Sequence, residues 1–128
     1  MDFSEAHLNR CSPVGLCARV GNADRLGGLL KAGAHFDRPD NRRWFPLHEA
    51  AFSGHAHCAR LILEACKNDK NKTVDLECLV NEGAHDGTTA LILAAQGSHT
   101  EVVRILLENK ADPNKGTLDG LRPIIQGR

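Results

Sequence analysis

Residues 45–65 read FPLHEAAFSGHAHCARLILEA, and this stretch has counterparts on both sides of it in the chain. Residues 12–34, SPVGLCARVGNADRLGGLLKAGA, and residues 89–114, TALILAAQGSHTEVVRILLENKADPN, follow the same order of small, apolar and polar residues. Residues 119–125, DGLRPII, open a fourth unit. Self-similarity of this kind predicts a repeat protein, in which each unit buries its apolar face against its neighbours.

The spacing between equivalent positions is regular. Pro13 and Pro46 are 33 residues apart, Pro46 and Ala90 are 44 apart, and Ala90 and Pro123 are again 33 apart. The period is therefore 33 residues, with 11 extra residues in the second unit. We place the extra residues near 66–76, a charged and Asn-rich stretch that favours a loop. Two interpretations of this insertion are open: a surface loop that the fold tolerates, or a finger that contacts a partner.

Each unit combines a short apolar stretch, a turn of small residues, and a second stretch with apolar residues at i, i+3 and i+4. This pattern predicts two antiparallel helices per unit. In the third unit Val102, Ile105 and Leu106 fall on one face of the second helix. Gly33 suits the left-handed backbone that ends a helix, whereas Lys110 stands at the same place in the third unit and is expected to bear strain.

The period and the PLHEAA stretch at residues 46–51 resemble the ankyrin repeat, whose signature is T-P-L-H-x-A. The resemblance extends over roughly residues 8–125 and implies an all-α ankyrin-repeat solenoid of paired antiparallel helices with hairpin-like loops. The implied repeats lie at about 8–39, at 40–83 with the insertion near 66–76, at 84–116, and at 117–128 as the truncated start of a fourth.

The fourth unit is expected to stop before its helices form. Because repeat arrays gain stability from the interfaces between neighbours, the third unit would then lack a cover on one side. Apolar side chains of that unit are expected to be left partly exposed, namely Leu91, Leu93, Ile105 and Leu106.

Composition narrows the class of partner. Lys plus Arg and Asp plus Glu both total 16, so the formal net charge is zero and no overall field favours nucleic acid or an anionic membrane. No apolar stretch approaches the ~20 residues that a membrane span needs. The odd number of cysteines, five, and the absence of a C-x-x-C pair favour reduced thiols. We therefore expect a cytoplasmic or nuclear protein that binds another protein, with no nucleic-acid or membrane partner.

Candidate chemistry is sparse. The densest set of metal ligands is His55, His57 and Cys58, but no second pair stands at zinc-finger spacing and Cys58 occupies an apolar core position, so no metal site is predicted. His48, His55 and His99 match histidines that the ankyrin family uses for local hydrogen bonds. No nucleophile, base and orienting group are singled out, and no glycine-rich phosphate loop is present. We expect no enzyme activity and no cofactor.

In ankyrin arrays the loop tips and the exposed ends of the first helices contact partners. The resemblance implies that such contacts come from three repeats. They are Arg19 and Val20 in the first, Asn41, Arg42, Trp44, Phe52 and Ser53 in the second, and His85, Asp86, Thr88 and Gln96 in the third.

Trp44 is the only tryptophan of the chain. Trp and Arg dominate binding hot spots, so Trp44 beside Arg42 is a candidate anchor for a partner. The alternative is that Trp44 folds back onto Phe45 or onto the loop of the first repeat. Arg43 stands where the family has Gly, and Phe45 where it has Thr, which leaves the conformation of this turn open.

A narrower resemblance concerns four stretches: MDF at 1–3, CSPVGL at 11–16, DNRRWFPLHEAA at 40–51 and LLENKADPNKGTLDG at 106–120. They resemble the N-terminal part of the ankyrin-repeat and SOCS-box family, whose members are substrate receptors for ubiquitination. Their repeats hold the target, and a C-terminal SOCS box recruits elongin B, elongin C and a cullin. The SOCS box is absent from these 128 residues, so the resemblance implies a target-recognition segment. The alternative is a freestanding ankyrin adaptor or inhibitor with no ligase role.

Overall fold

The structure, a computed structural model, describes residues 12–70 and 74–116 of the chain. Within those ranges the chain forms α-helices and no β-strand, so the predicted all-α class is confirmed. The helices are α1 (Pro13–Val20), α2 (Ala23–Lys31), α3 (Pro46–Ser53), α4 (Ala56–Lys67), α5 (Leu76–Val80), α6 (Ala90–Gln96) and α7 (Thr100–Glu108).

The helices pack in two layers. The first helices of the units, α1, α3 and α6, lie side by side, and the second helices α2, α4 and α7 form the other layer behind them. Ala18, Ala50 and Ala94 have no exposed surface, which lets neighbouring helices approach closely. The core runs continuously through the units, because each unit covers the apolar face of the next.

Two different caps begin the three first helices. The hydroxyl of Ser12 accepts from the N–H of Gly15 at 3.0 Å, and that of Thr89 accepts from the N–H of Ile92 at 3.2 Å. Phe45 occupies the same place before α3 but has no side-chain oxygen. Instead, Nδ1 of His48 accepts from the backbone N–H of Phe45 at 3.1 Å. The second unit therefore replaces a cap of the hydroxyl type with a histidine.

The insertion contains less loop than predicted for residues 66–76. Cys66 is buried inside α4, because it continues the apolar spacing of Ile62, and α4 ends only at Lys67. Leu76 already begins the short helix α5, whose first turn is capped by the carboxylate of Asp75. The extra residues thus extend one helix and add another, with a connection between them.

The third unit is better covered than expected. Leu91, Leu93, Ile105 and Leu106 are all buried, so the prediction that they would be partly exposed is wrong. The physical reason is that α6 packs on both α3 and α7, and α7 packs on α4, so these side chains face neighbours that the described residues already supply.

None of the helices in the described part of the chain combines the length and the apolar character that crossing a membrane would require.

The expected strain at Lys110 is present. This residue has a positive φ of 77°, and Gly33 at the equivalent place has a φ of 90°. A side chain in the left-handed region costs about 1–2 kcal/mol, which glycine avoids, although glycine also loses more backbone entropy on folding.

Lys110→Gly should therefore raise the free energy of unfolding by up to about 1 kcal/mol, because the relief of strain exceeds the entropy loss. Urea denaturation would measure the change. The matched control is Lys31→Gly, at the last helical position of α2, which should lower the stability by a similar amount because glycine is a poor helix former. A loss of stability in both variants would contradict the prediction.

Candidate protein-binding surface

The turn before α3 is closed by Asp40. Its backbone N–H donates to the carbonyl of Trp44 at 2.9 Å, and the N–H of Arg43 donates back to the carbonyl of Asp40 at 2.9 Å. The carboxylate oxygen Oδ1 of Asp40 accepts from the N–H groups of Arg42 and Trp44, both at 2.9 Å. The buried carboxylate of Asp40 thus fixes the backbone of Arg42 and Trp44 within the turn.

The turn before α6 has the same form. The N–H of Ala84 donates to the carbonyl of Thr88, and the N–H of Gly87 donates to that of Ala84, both at 2.9 Å. Arg43 has a φ of 63° and Gly87 a φ of 86°, so both residues adopt left-handed backbone. The second turn therefore keeps this conformation although arginine replaces glycine.

Glu49 lies buried on α3 between two arginines. Nε of Arg19 donates to Oε1 of Glu49 at 3.2 Å, and Nη2 of Arg19 donates to Oε2 at 3.1 Å. Nη2 of Arg42 donates to the same Oε2 at 2.7 Å. Arg42 also donates to Oδ2 of Asp40, from Nε at 3.0 Å and from Nη2 at 2.6 Å. Two acids and two arginines thus form one network.

Trp44 covers this network from the side. The guanidinium carbon of Arg42 lies 4.2 Å from the centroid of the Trp44 ring, a distance at which cation–π attraction operates. Trp44 also meets Phe52 edge to face, with ring centroids 5.4 Å apart, and stacks on His48 at 6.1 Å. Trp44 is half-buried. It packs on α3 of its own unit, a placement that the fold-back alternative did not include, and its role as an anchor for a partner stays a prediction.

The predicted contact residues separate into two groups. Arg19, Arg42, Trp44 and Phe52 are brought together by the contacts above, and Val20 follows Arg19 at the exposed end of α1. Asn41, His85, Asp86 and Gln96 are exposed and Ser53 is half-buried. Thr88 departs from the expected surface position: it is buried, because its carbonyl accepts from Nε2 of His48 at 2.9 Å and from Ala84.

The exposed residues of the third unit tie the two turns together. The backbone N–H of His85 donates to the carbonyl of Arg42 at 3.2 Å, and its ring Nε2 lies 3.2 Å from the carbonyl of Asn41. Hydrogen bonds from the side chain and the backbone of Thr88 lower the pKa of Asp86. Asp86 therefore remains a carboxylate at the surface at neutral pH.

Two of the three histidines predicted to serve hydrogen bonding, His48 and His99, make such bonds. His48 accepts through Nδ1 and donates through Nε2 to Thr88, which joins the second unit to the third. Nε2 of His99 lies 3.1 Å from the carbonyl of Phe52 and makes a second link between the same units. Of the other candidate ligands, His57 is exposed while Cys58 is buried in the core, where burial raises the pKa of its thiol.

A comparison with known sequences decides the family. The family profile for Ankyrin repeats (3 copies) matches residues 14–117. The chain belongs to the ankyrin-repeat family. The predicted ankyrin fold is thereby confirmed, and as an ankyrin-repeat domain the chain is a protein-interaction module.

Longer curated proteins resemble this ankyrin-repeat chain. It is 40% identical over 124 residues to Ankyrin repeat and SOCS box protein 3 of Bos taurus and of Homo sapiens, which covers 97% of this chain and 22% of those proteins. It is 30% identical over 109 residues to Ankyrin repeat and SOCS box protein 2 of Bos taurus, covering 85% of this chain and 16% of that protein. The predicted resemblance to SOCS-box proteins is confirmed, and the chain spans about a fifth of the length of the first two relatives.

A relative of another kind is Neurogenic locus notch homolog protein 2 of Homo sapiens. It is 34% identical over 99 residues, which covers 77% of this chain and 4% of that protein. Similar ankyrin repeats thus occur in a protein whose name carries no SOCS box.

Sequence reasoning missed the two buried acids of this ankyrin surface, Asp40 and Glu49. A signal for Glu49 was available: it lies 33 residues after Leu16 and 44 residues before Leu93, so an acid replaces leucine at an equivalent place. We call the five contact residues Arg19, Val20, Arg42, Trp44 and Phe52 the arginine–aromatic patch.

Proposed function

We propose that this ankyrin-repeat chain is the target-recognition segment of a SOCS-box ubiquitin-ligase receptor. The arginine–aromatic patch carries the recognition part of the proposal. Val20 and Phe52 are large apolar side chains with 59% and 57% of their surface exposed, and both lie in the last turn of the first helices of adjacent repeats. Exposed apolar residues beside Trp and Arg are the composition of a binding hot spot.

The ligase part of the proposal rests on the SOCS-box relatives. In it, the repeats hold a protein target while a SOCS box elsewhere in the full receptor recruits elongin B, elongin C and a cullin. We propose a cytoplasmic setting for this assembly. The competing proposal is a freestanding ankyrin adaptor or inhibitor with no ligase role, since the chain also resembles the Notch homolog, whose name carries no SOCS box.

Trp44→Ala should weaken binding to the cognate target by about 2 kcal/mol or more, because it removes the largest side chain of the patch and the support of Arg42. The target would first be captured with the full chain, and its affinity then measured by calorimetry together with the melting temperature of each variant. Leu107→Ala is the control: this leucine is exposed on α7, in the other layer of helices, and its removal should leave the affinity unchanged. Parallel loss of fold and affinity in Trp44→Ala would make Trp44 a packing residue instead.

The two competing proposals differ in their prediction for elongin. The product of the full transcript should co-purify with elongin B and C, whereas residues 1–128 expressed alone should not, because recruitment depends on a SOCS box. Quantitative mass spectrometry of the two purified samples would measure this. A full product free of elongin would favour the adaptor, and stoichiometric elongin on residues 1–128 would contradict the proposed division of labour.

A further inference from the structure

The ion-pair network of the patch is centred on the second repeat. At the equivalent places of the third repeat, 44 residues on, Ala84 replaces Asp40, Asp86 replaces Arg42, Thr88 replaces Trp44 and Leu93 replaces Glu49. The third repeat forms the same turn and the same first helix without any of these groups. The fold therefore does not require the network.

Stability does not account for the network either. Removing a carboxylate from water is expensive, and replacing a buried ion pair by apolar residues of similar size is often neutral or stabilising. Leucine at the equivalent place, as in Leu16 and Leu93, would bury Glu49's volume without that penalty. What the network does accomplish is geometric: it holds Arg42 in one position by three hydrogen bonds to two acids.

The exposed end of the network is cationic. The side chains of Asp40 and Glu49 are only 2% and 3% exposed, whereas those of Arg42 and Arg19 are 36% and 21% exposed. A partner therefore meets the arginine side chains and not the acids beneath them. Nη1 of Arg42 makes no hydrogen bond to the described part of the chain, so its two N–H groups remain to bind an acceptor.

The exposed side chain of Arg42 has apolar neighbours on one side. The ring of Trp44 covers one face of the Arg42 guanidinium, and Phe52 lies against Trp44 with most of its own surface exposed. A carboxylate that binds at this edge would be partly shielded from water, which strengthens a charge-assisted hydrogen bond. On the next turn the exposed Asp86 takes the place of Arg42, so the acid-binding position belongs to the second repeat.

We infer that the arginine–aromatic patch binds a polypeptide segment that carries an Asp or Glu side chain next to a large apolar side chain. The acid binds Nη1 of Arg42, and the apolar side chain packs on Phe52 and Val20. Glu49 is a positioning residue in this interaction, since it acts through Arg42 and Arg19. The inference rests on the proposed recognition function and specifies its target chemistry.

The test uses random 12-residue peptides displayed as a library and selected on the full 128-residue chain. The wild-type chain should enrich peptides that pair an acidic residue with a neighbouring large apolar residue. Glu49→Leu leaves Arg19 and Arg42 without a shared acceptor, so its melting temperature must be measured beside its affinity. In folded protein this variant should bind a peptide selected on the wild type about 10- to 100-fold more weakly, the range expected for one hydrogen bond to a charged group.

Two further variants keep the test decisive if Glu49→Leu fails to fold. Arg42→Gln should abolish the preference for acidic peptides, and Phe52→Ser, at an exposed position, should abolish the preference for the apolar neighbour. Arg104→Ala is the matched arginine control, because Arg104 is exposed on α7, away from the first helices, and this variant should bind like the wild type.

Three results would overturn the inference: no enriched peptide, enrichment of basic peptides, or an acidic preference that survives Glu49→Leu and Arg42→Gln in folded protein. Failure of the ligase proposal would look different. Acidic–apolar peptides would still bind the patch, while the full product would lack elongin. Conversely, elongin on the full product with no acidic preference at the patch would defeat the inference alone.

Discussion

Acidification from pH 7.5 to pH 4 should remove about 3 kcal/mol of unfolding free energy through His48. Burial lowers the pKa of His48 from 6.5 to about 4, against the opposing effect of its hydrogen bond to Thr88. Between these two values the unfolded chain binds a proton that the folded chain excludes, so stability falls as the pH falls through this window. The difference between 6.5 and about 4 corresponds to about 3 kcal/mol.

The structure explains why the folded protein excludes the proton. Nδ1 of His48 must be unprotonated to accept from the N–H of Phe45, while Nε2–H donates to the carbonyl of Thr88. Protonation would break the first bond and leave a buried charge. Because His48 joins the second repeat to the third, we expect acid to loosen this junction.

Urea denaturation at pH 7.5, 6, 5 and 4 would measure the effect. The control is His48→Gln, whose amide can accept and donate hydrogen bonds but does not titrate. The variant should be less stable at pH 7.5 and should lose less stability on acidification, and the difference between the two curves isolates His48 from the other histidines. Parallel curves would show that His48 does not carry the pH dependence.

Gly54→Ala should destabilise the protein by about 2–3 kcal/mol. Gly54 follows α3 with a φ of 75°, where a side chain costs about 1–2 kcal/mol. An added Cβ would also lie 2.5 Å from the ring of His99, so the ring must move. That ring bonds to the carbonyl of Phe52 at 3.1 Å, and losing this link between repeats costs about 1 kcal/mol more.

Gly33→Ala is the matched control for Gly54→Ala. Gly33 has a φ of 90°, but nothing lies within 4 Å of an added Cβ. It should therefore show the backbone penalty alone, about 1–2 kcal/mol. Calorimetric unfolding of the two variants beside the wild type would measure both effects. Equal losses of unfolding free energy would mean that displacing the His99 ring does not destabilise the protein.

The predictions for His48 and Gly54 both concern contacts between the second and third repeats. These contacts lie next to the arginine–aromatic patch. His48 stacks on Trp44, and His99 binds the carbonyl of Phe52, so two residues of the patch rest on histidines that join these repeats. The stability of the contact between the second and third repeats therefore affects the geometry of the patch. We expect variants at Gly54 to weaken target binding as well as folding.

The sequence alone determined the repeat, the helix pairs and the strained position Lys110. Its evidence is local: the 33-residue spacing, the i, i+3, i+4 apolar pattern, and residues such as Gly33 and Lys110 that end helices with left-handed backbone. These features depend on short-range sterics and on burial of one helix face, both of which leave a periodic trace in the sequence. The exposed contact candidates Arg42 and Phe52 also followed from repeat position.

Only the tertiary structure decided how the surface is assembled. Glu49 receives Arg19 from the preceding repeat and Arg42 from its own turn, and no local pattern specifies that two arginines converge on one buried acid. Thr88 is buried because His48, 40 residues earlier, binds its carbonyl. Such contacts depend on how repeats stack and which rotamers then meet. The sequence period therefore predicts the helix pairs, whereas the arginine–aromatic patch forms only when the repeats pack against each other.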